Sequence, residues 1–289
     1  MDPMQPPDFL KTLFQSALDA ASSESCLPGH LPSAPLGRTV VIGAGKAAAA
    51  MAHTVEKYWH GPLSGLVITR YGHGVPCRHI EVIEAAHPVP DAAGLLAAKR
   101  LLSIVDGLNE NDLVICLISG GGSALMPVPG RGITLNDKQS INSALLKSGA
   151  NISEMNCVRK HLSAIKGGRL AIAAAPARVV TLLISDVPGD DPSTIASGPT
   201  IGDATTLANA QEVIEKYDIP ISEAVRTFLR DDSNETPKPS DPVFDNNNTV
   251  MLASAQMSLE LGSILVSLCL SNTKSINHKQ PYEILTIKD

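Results

Sequence analysis

Three times along this chain a run of β-branched and aliphatic residues breaks off into a glycine-bearing turn, and that pattern narrows the possible folds most. Thr39–Ile42 leads into Gly43-Ala44-Gly45, residues 113–118 into Ser119-Gly120-Gly121-Gly122-Ser123, and residues 178–184 into Ser185-Asp186-Val187-Pro188-Gly189. None of the runs alternates apolar with polar residues. Each therefore reads as a strand buried on both faces, which is the condition of a parallel sheet covered by helices. Segments 65–72 and 79–86 read as further strands and Thr249–Ala253 as the last. Between them lie an alanine-rich helix after Gly45 and an amphipathic helix with Asp91 as its candidate N-cap. Two helical stretches follow at about 134–175, the second interrupted by Gly167-Gly168, then helices near 206–217 and 222–230. At the N-terminus Phe9, Leu10, Leu13 and Leu18 recur at helical spacing. The predicted fold is a three-layer α/β/α domain around a mostly parallel, Rossmann-like sheet. Its ligand site belongs at the carboxyl ends of the strands, where the glycine turns fall.

Composition excludes several functions. Only 3% of residues are aromatic, which removes the stacking surface that single-stranded nucleic acid needs. A formal charge of −6 leaves no basic footprint for a phosphate backbone. The five cysteines (Cys26, Cys77, Cys116, Cys157, Cys269) are scattered and form no C-x-x-C, so neither a disulfide framework nor a zinc site is expected. No stretch approaches the ~18 apolar residues of a membrane span, and the first residues lack the basic and apolar regions of a secretory signal. The expectation is a cytoplasmic protein that binds a small molecule and neither nucleic acid nor membrane. Homo-oligomerisation stays open.

Four motifs could carry chemistry. Gly43-Ala44-Gly45-Lys46-Ala47-Ala48 fits G-x-G-x-x-A after a strand, the pattern by which glycines let a dinucleotide pyrophosphate approach a helix N-terminus. The same glycines could instead serve close strand–helix packing. No acidic residue ends the next strand; Thr69 and Arg70 stand there, and an arginine could accept a 2′-phosphate. Lys46 places a cation in the first helical turn, against the helix dipole, which reads either as an anion lying opposite it or as an exposed, solvated lysine. Ser119, Gly120, Gly121, Gly122 and Ser123 form a run of backbone donors suited to phosphate or carboxylate, the alternative being a flexible turn at the entropic cost of three glycines. They match neither a Walker A loop nor a nucleophile elbow. Arg159, Lys160, His161, Lys166 and Arg169 concentrate positive charge, which reads either as a solvated helix face or as a site for an acidic substrate. Asp186 ends a buried strand, where a carboxylate can hold Mg²⁺ together with nucleotide phosphates. Asp190 and Asp191 read as turn caps, and His87-Pro88-Val89-Pro90-Asp91 as a rigid strand-to-helix turn.

Taken in order, VVIGAGKAAAAM (40–51), HPVPD (87–91), LISGGGSALMPVP (117–129), NCVRKHLSAIKGGRLA (156–171) and ISDVPGDDPSTIASGPT (184–200) resemble the glycerate 2-kinase family. The resemblance covers roughly residues 8–260. It implies ATP- and Mg²⁺-dependent phosphorylation of the 2-hydroxyl of D-glycerate in the cytoplasm. It places Lys46 at the active-site lysine. The residue readings add Gly43, Gly45 and 119–123 as nucleotide or anion contacts, Arg159, Lys160 and Lys166 as candidate substrate contacts, and Asp186 as the candidate metal ligand. Members encoded beside tartrate-degradation enzymes carry the label hydroxypyruvate reductase. The alternative reading is accordingly an NADH- or NADPH-dependent reductase, with His161 as its acid, and a second alternative is a non-catalytic fragment. Family members continue past VMLASAQMSLE into a second domain. Here the family pattern ends near Glu260, so residues 8–260 are expected to form the α/β domain and 261–289 a divergent tail.

Overall fold

The structure, a computed structural model, describes residues 6–260; the expected tail at 261–289, with Cys269, lies outside them. The elements are α1 (Pro6–Ala20), α2 (Ser23–Cys26), β1 (Thr39–Ala44), α3 (Ala48–Tyr58), β2 (Ser64–Arg70), β3 (Ile80–Ala85), α4 (Ala92–Val105) and β4 (Leu113–Ser119). They continue with α5 (Gly122–Leu125), α6 (Leu135–Ser148), α7 (Ile152–His161), α8 (Arg169–Ala174), β5 (Arg178–Ile184), α9 (Leu207–Lys216), α10 (Glu223–Arg230) and β6 (Asn248–Ala253). The strands form one sheet in the order β3-β2-β1-β4-β5-β6, and every pairing is parallel. This is the doubly wound order whose direction of growth reverses between β1 and β4, so a crevice opens there at the strand carboxyl ends.

The buried strands feed two cores because successive side chains point to opposite faces. Val40, Ile42 and Ala44 join Val114, Cys116 and Ile118 beneath α4 and α8. Val41, Leu113, Ile115 and Leu117 pack instead against Met51, Ala52 and Val55 of α3. A third cluster unites α6, α7, α9 and α10 around Leu145, Val158, Val213 and Phe228. Small aliphatics suffice for these layers, which explains why so few aromatics are needed. The N-cap of α4 is Asp91, whose carboxylate accepts the Gly94 amide at 2.9 Å. Helix α1 forms as its periodicity predicts, yet Leu10, Phe14 and Leu18 are exposed and join none of the three cores. No helix among the described residues is long and apolar enough to cross a membrane.

Gly43 lies inside β1, paired with Leu117 of β4. A Cβ there would stand 2.1 Å from the Leu117 carbonyl oxygen, a backbone atom that cannot rotate away. Gly43→Ala must part the two central strands. We expect a loss of about 1–3 kcal/mol, read as a lowered urea midpoint at unchanged slope.

Candidate active site

The first two glycine turns interlock at the switch point. Gly45, with φ at +145°, leaves a space that Ser119 fills: a Cβ would fall 2.1 Å from Ser119 Oγ and 2.6 Å from its carbonyl oxygen. Several donors just before and at the start of α3 are satisfied within the protein. The Lys46 amide donates to the Gly120 carbonyl at 2.8 Å, the Ala47 amide to Ser119 Oγ at 3.0 Å and the Ala48 amide to the Gly45 carbonyl at 3.1 Å. The Lys46, Ala47 and Ala48 amides and the space beside Gly45 are thus already taken up by the second loop and by the turn itself. The second loop differs. Among the described residues the amides of Gly120 and Gly121 meet no protein acceptor, and Gly122 and Ser123 open α5, where first-turn amides lack an intrahelical partner.

Lys46 reaches over this loop to Asp186, with Nζ 3.3 Å from Oδ2. Both side chains are about half exposed, so the pair adds little to stability and remains available to a ligand. Gly120 makes the approach of Asp186 possible, since a Cβ there would lie 2.0 Å from Oδ2. Gly121, at φ +85°, sits under two further groups: its Cβ would meet His87 Cδ2 at 2.9 Å and Lys46 Cε at 3.4 Å. Burial, then the charges of Lys46 and Arg70, hold the His87 imidazolium below its ordinary range against the opposing pull of Asp186. His87 is thus a neutral imidazole at pH 7, beside a lysine and a carboxylate. Asp191 is a turn cap, accepting from the Ser193 amide and from the Ser193 and Thr194 hydroxyls.

From His87 and Gly121 a cavity of about 740 Å³ extends towards α6. Arg159 and Lys166 line it, together with Lys138. Lys166 is almost fully buried and donates to Ser123 Oγ and to the Ser123 carbonyl. Lys138 donates to the Val128 carbonyl at 3.2 Å and Arg159 to Asn142 Oδ1 at 2.8 Å. Among the described residues none of the three has a carboxylate within ion-pair distance.

Lys160 and His161 do not share that cavity. Lys160 is buried 3.2 Å from Asp203 Oδ1. Fully buried His161 contacts the Cys157 carbonyl at 2.9 Å and Glu235 Oε1 at 3.0 Å. Thr205 and Thr236 complete the ring around Asp203. Burial opposes it, but hydrogen bonds from Lys238, the Leu207 amide and His161 hold the Glu235 carboxyl down to about 2. The basic run is therefore neither a solvated face nor a single site. It divides into an internal ion network and a cavity wall.

His87 and Lys138 carry no distinct signal in the sequence. His87 lies in a turn motif whose prolines explain it fully, and Lys138 is one polar residue of a helix rich in them. Asp186 supplies one half-exposed carboxylate, and no group of three potential metal ligands occurs among the described residues. That donor set suits Mg²⁺ carried chiefly by the phosphates of a nucleotide, since Mg²⁺ is commonly bound through one or two carboxylates plus substrate oxygens.

A doubly wound parallel sheet with a lysine, a carboxylate and free amides at its switch point makes this chain an α/β protein with its candidate site at the strand carboxyl ends. A family model described as "Domain of unknown function (DUF4147)" matches residues 9–230, and the chain belongs to that family. An Agrobacterium vitis protein provisionally named a hydroxypyruvate reductase is 56% identical over 230 residues, 79% of this chain and 52% of that protein. The D-glycerate 2-kinase of Thermotoga maritima is 44% identical over 238 residues, 80% of this chain and 56% of the kinase. The crystal structure of a glycerate kinase from Thermotoga maritima superposes with a TM-score of 0.83 at 39% identity, covering 91% of this chain and 62% of that one. The chain spans about half the length of the curated relatives it matches.

Proposed function

We propose that this chain is the lysine-bearing part of an ATP-dependent glycerate 2-kinase, transferring a phosphoryl group to the 2-hydroxyl of D-glycerate in the cytoplasm. The observation that carries the reading is the meeting of Lys46 and Asp186 above a loop whose amides are free. Phosphoryl transfer asks a protein mainly to position reactants and to neutralise charge spread over the transferred group. Lys46 would lie against that charge, and the amides of Gly120, Gly121, Gly122 and Ser123 would donate to its oxygens. His87, whose imidazole burial and neighbouring cations keep toward the neutral form, would accept the proton of the attacking hydroxyl. Asp186 would hold Mg²⁺, which when bound supplies further charge neutralisation. Gly43 and Gly45 would act by bringing the two loops together.

The reductase reading needs a pyrophosphate at the first turn, where the Lys46, Ala47 and Ala48 amides already have acceptors. The two readings part in one assay. With ATP, Mg²⁺ and D-glycerate, ³¹P NMR should show a new resonance coupled to the proton on carbon 2. Hydroxypyruvate-dependent oxidation of NADH or NADPH should stay at background. Reversal of those two results would replace the kinase reading by the reductase one.

A further inference from the structure

We propose that the cavity beside the Lys46 crevice is the seat of the phosphoryl donor, a nucleoside triphosphate, and that Lys138, Arg159 and Lys166 hold its inner phosphates. This rests on the kinase reading and assigns one of its two substrates to a place. Lys138, Arg159 and Lys166 face one cavity with only carbonyl and hydroxyl oxygens as partners. Three basic side chains so placed would all be charged only beside an anion of comparable charge. A three-carbon hydroxy acid brings a single carboxylate and would leave most of about 740 Å³ unfilled. A triphosphate brings three to four negative charges, and the cavity has the size of one that holds a drug-sized molecule.

The walls divide in the same way. The cationic side adjoins Ser123 and Gly121, hence Lys46. Val89 and Leu146 line the cavity too and are 63% and 62% exposed, apolar surface that a nucleoside would cover. A triphosphate entering here would lay its inner phosphates on the three cations and bring its terminal phosphate past the Gly121–Ser123 amides to Lys46. Protonation supports the assignment. Burial, then the neighbouring Lys138 and Arg159, pulls the Lys166 ammonium well below its ordinary range. Burial, with Arg169 beside it, pushes Lys138 down to about 7. A bound polyanion restores both charges. Among the groups facing these lysines, His87, Arg159 and Arg169 bring no negative charge that would do so instead.

Equilibrium titration calorimetry on the full 289-residue chain tests this without requiring turnover. ATP and inorganic tripolyphosphate should compete for one site, and both should bind more tightly at pH 6 than at pH 8. Lys138→Met and Arg159→Gln, each checked for native circular dichroism, should each weaken both ligands by about tenfold or more. Leu146→Glu should weaken ATP and leave tripolyphosphate nearly unchanged. The proposal is overturned if tripolyphosphate does not bind, or if the cavity variants leave ATP unaffected while weakening D-glycerate. Tripolyphosphate binding without any glycerate-dependent phosphoryl transfer would keep the site and remove the kinase reading. Phosphoryl transfer in which Lys138→Met raises only the KM for glycerate would do the opposite.

Discussion

Lys46→Ala lowers the rate of phosphoryl transfer by about 10²–10³-fold, the scale on which one preorganised charge or donor at a transition state is felt. The reason is placement. Lys46 meets Asp186 at 3.3 Å and stands over Gly121 at the switch point, with its backbone tied to the second loop through Gly120. The effect should fall on kcat and kcat/KM together, because charge on the transferred group develops only as the bond breaks. The fold should not notice. The side chain is about two-fifths exposed, its partner about half, and solvent screens such pairs strongly. We therefore expect a melting temperature within about 2 °C of the parent, measured beside single-turnover kinetics in this chain or in a longer chain containing it. A variant that retains full turnover removes Lys46 from the chemistry.

Asp203→Ala does the reverse, leaving the crevice intact and undermining the structure. Asp203 is wholly buried and receives Lys160, Thr205 and Thr236. Removing it strands an ammonium that is itself buried, a change that costs about 3–5 kcal/mol, a large fraction of the roughly 5–15 kcal/mol that holds a domain folded. At this size each kcal/mol moves the midpoint by about 2–4 °C, so calorimetry should show a fall of ~6–20 °C. Replacing Lys160 by Met at the same time should restore much of the loss, because an apolar pair tolerates burial that a lone charge does not. If the single variant melts with the parent, the network contributes nothing to stability.

The architecture was legible because burial on both faces leaves an unmistakable trace: β1, β4 and β5 are runs in which almost every residue is apolar. Lys46, the 119–123 loop and Asp186 were legible for a related reason, since each follows such a strand and a parallel sheet gathers those ends. Glycine is where legibility stopped. Gly43 and Gly45 announce that something comes close, and the letters cannot say whether it is a phosphate or the neighbouring strand. Lys160 and Lys166 show the same limit for charge. They lie six positions apart in one basic run, yet one ends on α7 facing Asp203 and the other beyond its end facing Ser123. Lys138 has no local mark at all, because its meaning comes from cations brought in from elsewhere in the chain.

The interlock of Gly45 with Ser119 has a consequence for anyone wishing to change which cofactor this scaffold accepts. Grafting a dinucleotide-binding turn onto residues 43–48 alone would fail, since the grafted amides would still find Ser119 Oγ and the Gly120 carbonyl waiting for them. The two turns are a matched pair and can be exchanged only together, which makes them one unit of inheritance even though some seventy residues separate them in the chain.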